Sequence, residues 1–147
     1  RATRDLAAAA EGPALHLEVD GRPLAPISVT GERSLFRLPR GAATVRLLSR
    51  AAPPSALRPW AEDRRRLGVC VTGLGLHDGA EWRDVPVDHP MLGEGWWAAE
   101  RARTRLWRWT DGEAALTVPK GTTMLEVRLA GRMRHPRAGG ADHMQAA

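Results

Sequence analysis

The chain has 147 residues, 43% of them hydrophobic, which is enough for one domain with its own core. The formal net charge is +5, and arginine supplies nearly all of the positive charge because Lys120 is the only lysine. Since the arginines are spread along the chain and are not concentrated in one helix or tail, we expect no nucleic-acid partner. No apolar run reaches the length of a membrane span, so we expect no transmembrane segment either.

Residues 1–12 carry a run of alanines at positions 7–10, and Gly12 and Pro13 follow shortly after it. An alanine run followed by these two residues is typical of a helix and its stop signal. The pattern predicts a short helix, or the end of a helix that begins upstream, ahead of the main domain.

From residue 13 onward the apolar residues recur with a period of two, which predicts β-strands. The first strand has an apolar face formed by Leu15, Leu17 and Val19. Asp20 and Gly21 follow, and because glycine accepts the positive φ of a tight turn, they predict a hairpin. Ile27 and Val29 are expected on its return strand, and two nearby prolines place that strand at a sheet edge.

Further short strands follow at regular spacing. They are centred on Phe36 and Leu38, Val45 and Leu47, Trp82–Val87 and Met124–Ala130. Asp111-Gly112 is expected to join residues 106–110 and 113–118 in another hairpin. Residues 98–105 are polar, and we expect one helical turn there or no fixed structure. No internal repeat is evident.

Short strands with turn signals between them predict an all-β antiparallel sandwich, jelly-roll-like, over residues 13–130. Residues 131–147 have no apolar period and are expected to form a loose tail.

An irregular, proline-containing crossover precedes the strand that begins at Leu67, and it predicts that the chain changes sheets there. Asp63 and Arg65 are expected to form a charged structural corner, since a carboxylate and a guanidinium satisfy each other when partly buried. Gly68 leaves room for a close neighbour. Cys70 is expected to be a buried, inert thiol.

Six tryptophans and no tyrosine make an unusual aromatic set. For Trp107 and Trp109, which share a strand face, we favour a core role over a stacking platform for sugars. Trp96 and Trp97 are adjacent, and adjacent residues on an extended chain point in opposite directions. One of them, or Trp60 or Trp82, is therefore expected to be exposed. The candidate ligand-binding residues are therefore Trp60, Trp82, Trp96 and Trp97.

The residue types of common catalytic sites do not form a recognisable motif. No two of the five histidines have a spacing that places both on one metal ion, and no serine lies in a nucleophile elbow. We therefore expect no enzymatic activity, no metal and no cofactor.

Three segments resemble a known family: Asp63–Val69, Leu92–Trp96 and Trp107–Gly112. Together they are similar to the C-terminal region that follows the self-processing domain in bacterial Hint (hedgehog/intein) domain proteins, and to segments beside bacterial glycosyltransferases. The resemblance extends from about Ala7 to Leu129. It carries no Hint catalytic residue, because the chain opens with Arg1, contains no asparagine and has its only cysteine within a strand.

The resemblance implies a non-catalytic accessory or interaction domain whose self-processing neighbour is not in this sequence. The alternative is a carbohydrate-binding module that uses exposed tryptophans. The expected partner is accordingly another domain of the same parent protein or a glycan.

Overall fold

The computed structural model describes residues 15–51 and 65–131. Over these residues the chain forms eleven strands in two antiparallel sheets, and no helix. These sheets confirm the predicted β-sandwich. The predicted helix over residues 1–12 and nearly all of the predicted tail over residues 131–147 lie outside the described residues.

The strands follow one another at short intervals. In chain order they are β1 His16–Val19, β2 Arg22–Leu24, β3 Ser28–Thr30, β4 Arg33–Arg37, β5 Thr44–Leu48, β6 Cys70–His77, β7 Trp82–Val85, β8 Glu100–Ala102, β9 Arg105–Trp109, β10 Glu113–Thr117 and β11 Met124–Leu129. One sheet has four strands in the order β10-β5-β1-β2. The other has seven, in the order β3-β4-β11-β6-β9-β8, with β7 also paired to β6.

The core lies between the two sheets and follows the predicted alternation. The buried side chains include Leu17 and Val19 of β1, Phe36 of β4 and Val127 of β11. The residues directly beside them in these strands are half-buried or exposed. Each strand thus contributes one apolar face to a shared interior, and burial of that apolar area is the main force that holds the sheets together.

Strand β6 contains a bulge that changes which side chains face the core. Its pairing with β11 runs from Met124 opposite His77 to Arg128 opposite Gly73, and then skips Thr72, so that Leu129 lies opposite Val71. The extra residue reverses the alternation, which explains the parity change in the sequence after Val71. Val71 therefore faces the main core, and Cys70 faces the other side of the sheet.

Cys70 belongs to a second, smaller core on that other side. Its buried members are Leu67, Cys70, Trp109 and Ala130, with Trp97 and Trp107 packed against them. The core interpretation therefore holds for Trp109, which is 5% exposed, whereas Trp107 is half-buried.

The hairpin predicted around Asp111-Gly112 is wrong. Strand β9 lies in the seven-stranded sheet, whereas β10 lies in the four-stranded sheet and pairs with β5. The chain changes sheets at this turn because β10 buries Ala114 and Leu116 in the main core beside β5. Asp111 Oδ1 accepts a hydrogen bond from Glu113 N at 2.9 Å, so the turn chemistry is local although the strands it joins are not partners.

Two further predictions are corrected. The return strand of the first hairpin is β2, which ends before Ile27; Val29 lies on β3, at the edge of the other sheet. This edge position agrees with the prolines, but Ile27 and Val29 are exposed. Residues 98–105 form β8 and a tight turn rather than a helical turn, because residues 100–102 pair with β9.

The structure also contains a pair of matching turns, which were not predicted as a pair. Residues 38–43 cross from β4 to β5, and residues 118–123 cross from β10 to β11 in the opposite sense. Each turn has the order Pro-basic-Gly, with Arg40 in the first and Lys120 in the second. The turns exchange hydrogen bonds: Leu38 N donates to the carbonyl of Thr123 at 2.8 Å, and Val118 N donates to that of Ala43 at 2.7 Å.

Candidate functional site

The tryptophans predicted to bind a ligand differ in accessibility. Trp96 is only 7% exposed, and its Nε1 donates to the carbonyl of Ala115 at 2.8 Å, so its ring has no free face for a sugar. Trp97 is half-buried, and the guanidinium of Arg65 lies 5.9 Å from the centre of its ring. Trp60 lies outside the described residues. Trp82 is 47% exposed and is the most accessible tryptophan that the structure describes.

Trp96 and Trp97 are held by Arg108, the residue between the two tryptophans of β9. The Arg108 Nε donates to the carbonyl of Trp97, and Nη1 donates to that of Val87 at 3.1 Å. Its guanidinium carbon also lies 5.9 Å from the centre of the Trp96 ring. Burial lowers the pKa of the guanidinium, and the charge of Asp88 opposes this shift. Arg108 thus joins β9 to two loops, which is a structural role.

The predicted corner is described in part, since Asp63 lies outside the described residues. Arg65 Nη1 forms an ion pair with Glu100 Oε2 at 3.3 Å. Gly68 has the close neighbour that the sequence predicted: a Cβ added to it would lie 2.5 Å from Thr110 Oγ1 and 2.6 Å from Gly112 N. Gly68 N donates to the carbonyl of Thr110 at 2.8 Å. These contacts give the corner its shape and leave no space for a ligand at Gly68.

The candidate site is the outer face of the seven-stranded sheet around Trp82. Trp82 lies opposite His77 in the β6–β7 hairpin, and their rings meet edge to face with centroids 4.9 Å apart. The indole extends over Gly75, where an added Cβ would lie 3.3 Å from the ring carbon Cε3. Because Gly75 has no side chain, the ring can lie against the sheet on one side and face solvent on the other.

The β6–β7 turn holds Trp82 in this position. Asp78 Oδ1 accepts hydrogen bonds from Ala80 N at 2.9 Å and from Glu81 N at 3.1 Å. These backbone hydrogen bonds lower the pKa of the Asp78 carboxyl, so it is ionised at neutral pH and caps the turn. Trp82 is therefore part of an ordered hairpin.

Charged side chains lie beside the indole on the same face. Glu126, Gly75 and Asp84 are directly opposite one another on β11, β6 and β7. Arg128 Nη2 is 3.3 Å from Asp84 Oδ1, and its Nε is 3.7 Å from Glu126 Oε1. The face thus combines one flat apolar ring with fixed hydrogen-bonding groups, the combination that sugar rings and their hydroxyls require.

Several side chains of catalytic type are engaged in local structure. Burial raises the pKa of the Cys70 thiol to about 12, so it is not a nucleophile at neutral pH. His77 Nδ1 accepts a hydrogen bond from Gly79 N at 3.0 Å, and His89 Nδ1 accepts one from Met91 N at 3.1 Å. Within residues 15–51 and 65–131, no three His, Cys, Asp or Glu side chains are grouped as a metal site would need.

Trp82 was predicted from the sequence as a ligand-binding residue, but the face around it was not. The signal was present, because Gly73, Gly75 and His77 alternate with Leu74 and Leu76 and so lie on the face opposite the core. The partners on β11 and β7 carried no comparable signal, since they are distant in the chain.

Comparison with protein-family models, with curated proteins and with solved structures finds no match. In the described part of the chain, no helix has the length and apolar character needed to cross a membrane.

Proposed function

We propose that this chain is a non-catalytic accessory domain, an interaction module that serves another domain of its parent protein. The resemblance to the region after the self-processing domain of bacterial Hint proteins supports this role. In this proposal the sandwich is jelly-roll-like, as the sequence predicts, and its repeated changes of sheet support that arrangement.

The observation that carries the proposal is the exposed indole of Trp82. A large apolar side chain that is 47% exposed, yet held in an ordered strand over Gly75, is typical of a binding surface. The non-catalytic part of the proposal is supported by the protonated Cys70 thiol and by the structural hydrogen bonds of His77 and His89.

A carbohydrate is the second candidate ligand, and a separate observation favours it. Asp84, Glu126 and Arg128 lie next to the Trp82 ring on the same face, where their oxygens and guanidinium can exchange hydrogen bonds with hydroxyl groups. One stacking ring gives one subsite, so we expect weak affinity, with dissociation constants of about 1 mM.

Amide NMR titration tests both candidates on the intact chain. The labelled protein is titrated first with a purified bacterial Hint self-processing domain and then with soluble oligosaccharides. The proposal expects the largest shift changes on the outer face of β6, β7 and β11, with the added oligosaccharide recovered intact by mass spectrometry. Changes centred on another face, or cleavage of the sugar, would overturn it.

Two variants make the assignment specific. Trp82→Ala removes the exposed indole, and we expect it to abolish binding. The melting temperature should be nearly unchanged, because the side chain is largely outside the core. Met91→Ala is the matched control, since Met91 is 40% exposed and lies outside the strands, in the loop between β7 and β8. Equal loss of binding in both variants would show that Trp82 is not the contact residue.

A further inference from the structure

We infer that the ligand of the Trp82 face is an anionic oligosaccharide, a chain of pyranose rings that carries carboxylate, sulfate or phosphate groups. This inference rests on the carbohydrate candidate above and specifies its chemical class. Two observations carry it: the position of Trp82 in a row that crosses four strands, and the basic residues at the other end of that row.

The row is defined by the register of the sheet. Arg37 of β4 lies opposite Met124 of β11, which lies opposite His77 of β6, which lies opposite Trp82 of β7. Their neighbours in the strands, Phe36, Leu76 and Leu125, are buried in the core, so the row faces outward. Three strand spacings separate Arg37 from Trp82, about 14 Å between their backbones. A ligand that contacts both residues is therefore longer than one sugar ring.

The matching Pro-basic-Gly turns border this row. The first turn, with Arg40, begins directly after Arg37, and the second, with Lys120, leads into Met124. Thr123, in the second turn, ties it to the row, because its N and Oγ1 both donate to the carbonyl of His77 at 2.7 and 3.1 Å. The crossing between sheets therefore places two basic turn residues at the same end of the sandwich as Trp82.

These cations differ from the arginines of the described chain that pair with an acid. Six arginines have a carboxylate within 4.0 Å: Arg33, Arg46, Arg65, Arg83, Arg101 and Arg128. Within the described ranges, Arg37, Arg40 and Lys120 are exposed and have no such partner. Two acidic residues, Asp78 and Glu81, lie in the β6–β7 turn at this end. Asp78 is paired with Arg83, whereas Glu81 has no arginine partner in the described chain. The end with Trp82 therefore has an excess of positive charge.

The same charges favour a ligand with widely spaced acidic groups over a nucleic acid. A nucleic acid carries a phosphate at every nucleotide, and its binding requires several cations along the whole path. Here Asp84 and Glu126 lie next to the Trp82 ring and would repel closely spaced phosphates. A glycan with occasional acidic groups can stack one ring on Trp82 and direct its charge toward Arg37 and the turns.

The test compares two forms of one polymer. Oligogalacturonate is titrated against the same oligosaccharide after its carboxylates have been reduced to hydroxymethyl groups, with tryptophan fluorescence as the readout; a sulfated and a phosphorylated oligosaccharide distinguish the source of charge. We expect the best anionic probe to bind at least tenfold more tightly than the neutral one. The double variant Arg40→Gln/Lys120→Gln and the single variant Arg37→Gln should each weaken it about threefold, the size of an exposed ion pair.

Arg22→Gln is the matched control, because Arg22 is an exposed arginine of β2 in the other sheet and loses the same charge. Equal binding of charged and neutral probes, with both lost in Trp82→Ala, would overturn this inference and leave the carbohydrate function standing. No binding of any oligosaccharide would overturn both. Tighter binding of an oligothymidylate than of every glycan would replace the glycan with a nucleic acid.

Discussion

Substitution of Gly68 by alanine tests the corner at which the chain enters the seven-stranded sheet. The new Cβ would lie 2.5 Å from Thr110 Oγ1, 2.6 Å from Gly112 N and 2.8 Å from Gly112 Cα. Two of these atoms are backbone, so no rotation of a side chain relieves the overlap. The segment around Gly68, which leads into β6, must move away from residues 110–112 by an appreciable fraction of an ångström.

That movement stretches the hydrogen bonds that join the segments. Gly68 N donates to the carbonyl of Thr110 at 2.8 Å, Thr110 N donates to the carbonyl of Val69 at 2.9 Å, and Val69 N donates to Thr110 Oγ1 at 3.2 Å. Overpacking costs about 1–3 kcal/mol and one weakened hydrogen bond about 1 kcal/mol. We therefore expect Gly68→Ala to lower the free energy of unfolding by about 2–4 kcal/mol.

Urea unfolding followed by tryptophan fluorescence measures this change, with Gly93→Ala as the control. A Cβ at Gly93 meets no heavy atom within 4 Å, so that variant should stay within about 0.5 kcal/mol of the original protein. If the two variants unfold at the same urea concentration, the close approach at Gly68 does not exist and the account of the corner is wrong.

Three other predictions concern buried groups. Trp109→Ala should lower the free energy of unfolding by about 3–5 kcal/mol, because the ring fills the second core, and differential scanning calorimetry would contradict this if the melting temperature were retained. Arg108→Lys should cost about 1–3 kcal/mol, since an ammonium group cannot reach both backbone carbonyls that the guanidinium now satisfies; an unchanged urea midpoint would refute that role. The Cys70 thiol, with its pKa raised to about 12, should resist iodoacetamide at pH 9 in the folded protein and react on unfolding. Because an ordinary thiol has a pKa of 9.0, the unfolded chain releases this proton first, so the stability from Cys70 is complete below pH 9 and declines as the pH rises toward the folded value. Rapid alkylation of the native protein would show that the thiol is exposed.

Local patterns in the sequence determined most of the strands and many of the turns. The alternation of Leu15, Leu17 and Val19 identified a core-facing strand, because a period of two places every second side chain on one face. The alternation of apolar residues also changes parity after Val71, which predicts a bulge near Gly73 or Gly75, and the structure has the extra residue at Thr72, beside Gly73. Such features depend on residues that are near one another in the chain, and so the sequence is enough to show them.

Sheet membership was decided by tertiary structure. Asp111-Gly112 makes a turn whether the next strand pairs with the last one or crosses to the other sheet, since the turn chemistry is the same in both cases. The outcome depended on whether β10 buried its apolar face beside β5 or beside β9, and that choice involves residues more than 60 positions apart, such as Ala114 and Leu47.

The candidate site shows the same division. The sequence alone identified Trp82 as one of four tryptophans suited to a ligand, but it did not connect Arg40 or Lys120 with that site. Only the pairing of β4, β11, β6 and β7 placed Arg37 and Trp82 in one row, because a register between distant strands is set by the packing of their buried faces. The outward faces that form the site take their arrangement from that packing.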